Sequence, residues 1–113
     1  MKDGIGSGNT VKAVSLCLAM SFTPATIADE TLDGAALYLK YNCHICHGDR
    51  GAGGVRDGYP MIAGQDRRYL IQQTLDIRDG ARENGQTKLM RPLVKYLGDP
   101  EIEAIATYLS ARP

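Results

Sequence analysis

The sequence predicts an all-α fold with three to five helices. Apolar residues recur every three or four positions in residues 29–42 and again after Asp99, which is the spacing of one helical face. A capping residue, Asp66, and a glycine stop, Gly80, mark another helix between these two segments. No stretch alternates apolar and polar residues as a half-buried strand would, and no internal repeat is present.

The 113 residues are enough for one small domain behind a leader. The one long apolar run, residues 11–22, is shorter than the roughly 20 residues that span a bilayer. Lysines near its start and the sequence Thr26-Ile27-Ala28 after it are typical of a secretory signal peptide cut after Ala28. We therefore predict a signal peptide over residues 1–28 and one domain over residues 29–113. A retained leader would instead act as a membrane anchor.

The charge balance argues against one class of partner. The sequence has 13 basic and 13 acidic residues, and loss of residues 1–28 would remove two lysines and one aspartate, leaving a formal charge of −1. A chain this close to neutrality implies no basic face for a phosphate backbone, so we expect no nucleic-acid partner. For the same reason, we expect weak long-range electrostatic steering of other partners.

The first helix of the domain is predicted over residues 29–42. Gly34 lies inside it and costs up to about 1 kcal/mol relative to alanine, so a glycine here suggests that another backbone crosses nearby. A tolerated surface glycine is the alternative. The predicted buried face consists of Leu32, Ala35, Ala36 and Leu39.

The helix leads into Cys43-His44-Ile45-Cys46-His47, a Cys-x-x-Cys-His motif typical of c-type haem attachment. Each thiol can add to one vinyl group of the porphyrin, and His47 then supplies the proximal ligand to the iron. A structural zinc site needs four ligands, usually in two separated pairs, and both histidines of this chain lie inside the motif. A thioredoxin-like site would need a βαβ pattern, which is absent from the sequence. We therefore predict one covalent haem c, without which so short a domain should be largely unfolded.

Residues 48–60 contain five glycines and no periodicity, which indicates a loop. The loop lacks the Gly-Lys-Ser/Thr sequence of a phosphate-binding loop. Glycine allows close backbone approach, so we expect this loop to wrap the proximal edge of the haem. A ligating imidazole normally donates its second N–H to an acceptor, and the carbonyl of Pro60 is the candidate for His47.

The helix that Asp66 begins should run through Ile77 and stop at Gly80. Arg78 and Arg82 follow on its flank, and one of them is a candidate partner for a haem propionate. Solvated surface charge is the alternative for each arginine. The predicted inner side consists of Tyr69, Leu70, Gln73 and Ile77.

A polar loop over residues 83–89 is predicted to lead to Met90, ahead of the last helix. Asp99 is the predicted N-cap of that helix, with Pro100 at its first position. We expect it to pack on the first helix near Gly34. Its predicted apolar face consists of Ile102, Ile105, Ala106 and Leu109.

The second axial ligand is sought among the methionines because no histidine remains outside the motif. Met1 and Met20 fall in the predicted leader, which leaves Met61 and Met90. Met61 directly follows Pro60, the proposed proximal acceptor, and cannot easily reach the other face of the ring. Met90 can return over the distal side, and thioether–imidazole ligation is what electron-carrying haem c uses. A role as core filler is the alternative for Met90.

These motifs resemble a class I c-type cytochrome. The similar segments are Cys43 to Gly48, Tyr59 to Gln65, Tyr69-Leu70, Met90, Leu97-Gly98-Asp99 and Ala106 to Leu109. The chain is most similar to one haem domain of the diheme bacterial cytochromes and to the haem subunits of flavocytochrome c sulfide dehydrogenases. The resemblance implies a small cytochrome c fold, with Met90 as the distal ligand. It also implies a periplasmic location, because haem is attached outside the bacterial cytoplasm. Only one attachment motif is present, so the diheme arrangement does not carry over.

Iron with both axial positions filled has no site for substrate, so we expect outer-sphere electron transfer rather than catalysis. The leading hypothesis is a periplasmic carrier between redox partner proteins, for example a flavoprotein or a terminal oxidase. The second is the haem subunit of an oxidoreductase complex such as a flavocytochrome c sulfide dehydrogenase. The third, a gas sensor or peroxidase, would require Met90 to be absent from the iron or displaceable. No membrane span is expected after loss of the leader.

Overall fold

The computed structural model describes residues 4, 6, 8, 12–23 and 31–113. The predicted cleavage point after Ala28 lies outside the described residues. Residues 12–23 form no helix or strand, and the larger apolar side chains among them are exposed. Within the described part of the chain, no helix is long and apolar enough to cross a membrane.

Five α-helices and one 3-10 turn make up the described domain. The helices are α1 (Gly34–Lys40), α2 (Cys43–His47), α3 (Arg67–Asp79), α4 (Thr87–Val94) and α5 (Asp99–Ser110), and the 3-10 turn is Asp49–Gly51. Residues 31–113 contain no strand. The all-α prediction is therefore confirmed.

Helix α1 begins later than predicted, because Asp33 caps it. The Asp33 carboxylate accepts hydrogen bonds from the backbone N–H groups of Ala35 and Ala36 at 2.9 and 3.1 Å. The predicted apolar face is wrong. Leu32 precedes the helix and Leu39 is 54% exposed, whereas the buried residues are Gly34, Leu37 and Tyr38.

The buried face of α1 differs from the predicted one because α1 packs closely against α5. A Cβ atom at Gly34 would overlap the backbone carbonyl of Ala104, so the two backbones approach more closely than any side chain allows. The rings of Tyr38 and Tyr108 lie beside this crossing, 5.9 Å apart. The predicted packing of the first and last helices at Gly34 is confirmed.

Helix α3 follows the prediction closely. The Asp66 carboxylate accepts from the N–H of Tyr69 at 3.0 Å, and Gly80 ends the helix with φ +82°. A positive φ is a conformation that glycine adopts without steric cost, which explains why the helix stops there.

Helix α4 corrects the expectation that a loop leads to Met90. Residues 87–94 form two helical turns although Pro92 lies inside them. Proline has no backbone N–H, so the carbonyl of Lys88 loses its intrahelical hydrogen bond. The cost of this loss is small because Pro92 is exposed. Packing of Val94, which is 3% exposed, stabilises the helix against that cost.

The start of α5 also differs from the prediction. Its N-cap is Gly98, whose N–H donates to the Glu101 carboxylate at 3.0 Å. Asp99 is the first helical residue, and its carboxylate instead binds the Arg78 guanidinium at 2.6 Å. The buried face of α5 is the predicted one, Ile102, Ile105, Ala106 and Leu109.

The core is formed by α1, α3, α4, α5 and Leu97 between the last two helices. Helix α5 packs against both α1 and α3. The buried cluster consists of Leu37, Tyr38, Leu70, Ile77, Val94, Leu97, Ile102, Ile105, Ala106 and Leu109. This cluster forms part of the wall of a cavity that all five helices line.

Candidate haem site

The cavity has a volume of about 350 Å³ and a mainly apolar wall. This volume lies within the usual range of about 300–1,000 Å³ for cofactor and ligand pockets. Polar side chains also line it, from α2, from the middle of α3, from the segment between α3 and α4 and from the start of α4. The chemically distinctive residues that line it are Cys43, Cys46, His47 and Met90.

Helix α2 brings the attachment motif to the cavity. It has only five residues, and it lies between Asn42 at φ 60° and Gly48 at φ 76°. Cys43, Cys46 and His47 are related by three or four positions, so one helical face carries all three toward the cavity. A Cβ atom at Gly48 would overlap the carbonyl of Gly53, so the turn after His47 requires glycine.

The imidazole of His47 is oriented by the loop that follows it. Its Nδ1 lies 2.8 Å from the carbonyl oxygen of Pro60, the acceptor expected from the sequence, and the residue is 8% exposed. A carbonyl oxygen only accepts, so Nδ1 carries the proton in this contact. Nε2 is then the nitrogen available to a metal in the cavity.

Both motif cysteines are free thiols at the cavity wall. Burial raises the pKa of the Cys43 thiol to about 11, and the neighbouring Cys46 adds to the rise.

The two candidate methionines have different surroundings. Met90, on α4, is partly buried, packs against the core and lines the cavity. Met61 is 59% exposed and is not among the cavity-lining residues. The structure thus brings Met90, and not Met61, into one cavity with His47.

The two candidate arginines also differ in their surroundings. Arg82 lines the cavity, where its guanidinium donates to Gln73 Oε1 at 2.7 Å and to Asn84 Oδ1 at 3.2 Å. Arg78 is not among the lining residues. Its guanidinium binds the carboxylates of Asp79 and Asp99 at 2.7 and 2.6 Å, and this pairing raises the pKa of Arg78.

Several lining residues were not identified from the sequence. Leu89 and Leu93 line the cavity from α4, and Tyr38 closes the core behind α2 by donating to the carbonyl of Gly48 at 2.8 Å. The four-residue spacing of Leu89 and Leu93, continued by Leu97, was an available helical signal. Pro92 concealed it.

The residues present fit an iron porphyrin. Two thiols at the attachment spacing, an imidazole with Nε2 available and a thioether share one apolar cavity. Such a wall suits a large, flat and mostly apolar ring. Thiols bind the vinyl groups, and imidazole and thioether are the ligand pair of electron-carrying haem c.

Comparisons with known proteins agree with this geometry. The family model described as Cytochrome c matches residues 32–112. The thiosulfate dehydrogenase electron acceptor of Stutzerimonas stutzeri is 39% identical over 99 residues, covering 88% of this chain and 44% of that protein. Cytochrome c-554(548) of Halomonas halodenitrificans is 39% identical over 70 residues, covering 62% of this chain and 83% of that protein.

A solved structure shows the same fold. Reduced recombinant cytochrome c4 from Pseudomonas stutzeri superposes with a TM-score of 0.62 at 32% identity, over 71% of this chain and 46% of that one. This chain therefore spans less than half the length of that cytochrome and of the thiosulfate dehydrogenase electron acceptor. The motif, the fold and the family match agree: the chain belongs to the cytochrome c family of electron carriers, whose cofactor is covalently bound haem c.

Proposed function

We propose that this chain is a periplasmic carrier of single electrons, with one haem attached to Cys43 and Cys46. The observation that carries the proposal is the convergence of His47 and Met90 on one cavity beside the two thiols. Haem iron supplies a one-electron Fe(II)/Fe(III) couple. His47 and Met90 would both hold the iron, so no position would be open to a substrate, and the bound haem would exchange electrons without binding one.

Three features of the polypeptide affect the relative stability of the oxidised and reduced states. The Pro60 carbonyl accepts the Nδ1–H of His47 and so fixes the tautomer and the orientation of the imidazole. The thioether of Met90 is a soft, neutral ligand that favours the reduced state. The apolar wall excludes water and disfavours the extra positive charge of the oxidised state.

Arg82 is the proposed propionate partner. It is the one of the two candidate arginines that lines the cavity, and its present hydrogen-bond partners, Gln73 and Asn84, are neutral. An arginine bonded to neutral groups keeps its full charge for a carboxylate. Arg78 already binds two carboxylates.

A second candidate function is that of haem-bearing subunit or electron acceptor of a dehydrogenase complex. The observation that favours it is the similarity to a thiosulfate dehydrogenase electron acceptor over 88% of this chain. Both functions use the same haem site. They differ in whether the chain diffuses freely or stays bound to a dehydrogenase.

Expression with the leader in a bacterium that attaches haem c tests the main proposal. We expect recovery from the periplasm, a mass increased by one haem, and the weak far-red charge-transfer band of a thioether bound to Fe(III). The reduced protein should not bind carbon monoxide. Ready carbon monoxide binding would instead favour a sensor or a peroxidase. Stable copurification with a dehydrogenase from the native source would favour the second candidate.

A further inference from the structure

Among the described residues, Arg82 is the one lysine, arginine, aspartate or glutamate that lines the haem cavity. A single cation in a mainly apolar wall interacts strongly with any charge placed in the cavity, because little of its surroundings screens it. The interaction energy varies inversely with distance, so it depends on where the guanidinium lies. The side chains that fix this guanidinium therefore decide how strongly it acts.

Two neutral side chains and one backbone carbonyl hold Arg82. Its Nη1 donates to Gln73 Oε1 at 2.7 Å, and its Nε donates to Asn84 Oδ1 at 3.2 Å. Its backbone N–H donates to the carbonyl of Asp76 at 2.9 Å. The bond to Gln73 is the shorter of the two side-chain bonds and is partly buried, whereas the bond to Asn84 is exposed. A hydrogen bond sheltered from water is electrostatically stronger, so Gln73 holds the guanidinium more firmly than Asn84 does.

The two partners also differ in the backbone that carries them. Gln73 lies in the middle of α3, a helix of 13 residues that Asp66 caps at one end and Gly80 ends at the other. Asn84 lies in the segment between α3 and α4, where it is exposed. A side chain on a well-anchored helix fixes its partner more precisely than one on a connecting segment. Gln73 is therefore the residue that sets the position of Arg82.

Both side chains keep unused donors after this bond forms. A guanidinium has five N–H groups, and Nη2 of Arg82 makes no hydrogen bond within residues 31–113. The Gln73 amide accepts through Oε1, and its Nε2 likewise donates to no group in that part of the chain. Both residues line the cavity, so the free donors of a cation and of an amide lie side by side in its wall. A carboxylate at this point would accept from both.

We propose that Gln73 is a positioning residue that raises the reduction potential by holding Arg82 against a haem propionate. The inference rests on the proposed electron-carrier function, in which Arg82 is the propionate partner. Without the Gln73 acceptor, the guanidinium would turn toward water, where solvent screens its charge. A cation held beside the cavity disfavours the extra positive charge of the oxidised state, so its withdrawal favours Fe(III) and lowers the potential.

Potentiometric titration of the holoprotein carrying Gln73→Leu tests the proposal. Leucine cannot accept a hydrogen bond, so the variant releases Arg82. At a fixed solution potential we expect the Fe(III)/Fe(II) ratio to rise about threefold, which is about 28 mV at about 59 mV per tenfold change for one electron. The direction is diagnostic, because a more apolar wall by itself would raise the potential. A potential that stays the same or rises would overturn the proposal.

A double-mutant cycle shows whether Gln73 acts through Arg82. Arg82→Gln should raise the Fe(III)/Fe(II) ratio by at least as much as Gln73→Leu does. Adding Gln73→Leu to Arg82→Gln should raise the ratio no further, because the group that Gln73 positions is already gone. Shifts that add in the double variant would overturn the proposal, since Gln73 would then act independently of Arg82.

Gln73→Glu and Gln72→Glu form a matched pair that adds the same charge at neighbouring positions. The new carboxylate at position 73 would pair with Arg82 and cancel its charge, so we expect the ratio to rise about tenfold, or about 59 mV. Gln72 is exposed, donates to Asp76 and is not among the cavity-lining residues. Its replacement should change the ratio less than about twofold, because solvent screens an exposed charge. Equal shifts at the two positions would contradict a role of Gln73 in placing Arg82.

The far-red thioether band separates this proposal from the proposed function. If the wild-type holoprotein lacks the band or shows no reversible one-electron couple, the electron-carrier function fails, and the positioning role fails with it. If the wild type has both, and every variant keeps the band and the wild-type potential, only the positioning role fails. Loss of the band in Gln73→Leu would also overturn the proposal, since Gln73 would then support Met90 rather than Arg82.

Discussion

The Nδ1 atom of His47 lies 2.8 Å from the carbonyl oxygen of Pro60, so the residue that should bind iron is oriented by the loop that follows the attachment motif. The acceptor is a backbone atom, and no side-chain substitution removes it. The orientation of the proximal ligand therefore depends on the path of residues 48–60. This path requires glycine at positions 48 and 54, where a Cβ would overlap the carbonyls of Gly53 and Tyr59.

Met90 is expected to set the reduction potential. Replacement by alanine should leave the haem attached through the cysteines, abolish the far-red thioether band and lower the potential by a part of the roughly 0.8 V that axial ligands span. Potentiometric titration followed in the visible spectrum measures both effects. Met61→Ala is the control, because Met61 is exposed and outside the cavity. A band that survives in the Met90 variant would contradict the assignment.

Gly34 should not tolerate a side chain. In Gly34→Ala the new methyl group would overlap the carbonyl of Ala104, and α1 would have to move away from α5. We expect the free energy of unfolding of the holoprotein to fall by about 1–3 kcal/mol or more, as measured by denaturant titration. Gly53→Ala provides the comparison, since a Cβ there meets nothing within 4 Å. Equal stability of the two variants would disprove the close crossing.

Tyr38 should make stability sensitive to alkaline pH. It is 1% exposed, and burial raises its pKa from 10.0 to about 12. The folded state holds the phenolic proton more tightly than the unfolded state, so this contribution is fully present below pH 10 and is lost as the pH rises toward 12.

Tyr38→Phe tests this contribution. The variant loses the hydrogen bond to the Gly48 carbonyl, at a cost of about 1–2 kcal/mol at neutral pH. Its stability should depend less on pH between 10 and 12 than that of the wild type. Tyr96→Phe, at a residue that is 75% exposed, should change neither quantity.

Glu101 should make stability sensitive to acid. Its carboxylate accepts from the N–H of Gly98 and from the hydroxyl of Tyr41, and these hydrogen bonds lower its pKa below the ordinary 4.5. The contribution is present above pH 4.5 and is lost as the pH falls through the depressed value. Thermal unfolding from pH 3 to 7 should show a smaller acid loss in Glu101→Ala. Glu103→Ala, on the same helix, removes only an exposed ion pair with Arg67 at 3.4 Å, so its loss of stability in acid should match that of the wild type.

The haem-free chain should be largely unfolded. Without haem, the mainly apolar wall of the cavity of about 350 Å³ would face water, and a domain this small buries too little other apolar surface to compensate for that loss. Far-ultraviolet circular dichroism of protein made without haem attachment should show most helical signal lost. A cooperative, native-like melt of that protein would be evidence against a structural role for the cofactor.

Features set by local chemistry could be predicted from the sequence. Helix α3 is an example, because its cap at Asp66 and its stop at Gly80 act on their own backbone neighbours. The attachment motif is another, since the spacing of its residues is itself the chemical requirement. The packing of α1 on α5 could be inferred because a glycine inside a helix costs stability, and a close backbone crossing offsets that cost.

Features set by distant contacts could not be predicted. The sequence alone favours Asp99 as the cap of α5, but Arg78, 21 residues before it, binds its carboxylate, and Gly98 takes the cap position. Helix α4 forms despite Pro92 because Val94 and Leu97 are buried against other helices. The different roles of Arg78 and Arg82 likewise depend on which carboxylates the fold brings near each of them. The spacing of residues along the chain does not predict this.

The hydrogen bond between Tyr41, the C-cap of α1, and Glu101, in the first turn of α5, joins positions 60 residues apart. Helix α1 has no other large partner among the helices of residues 31–113. A chain emerging from the ribosome or a translocon therefore cannot dock its first helix until its last one has appeared. Closing so long a loop is slow, so the attachment motif should remain accessible to the haem-loading machinery throughout synthesis.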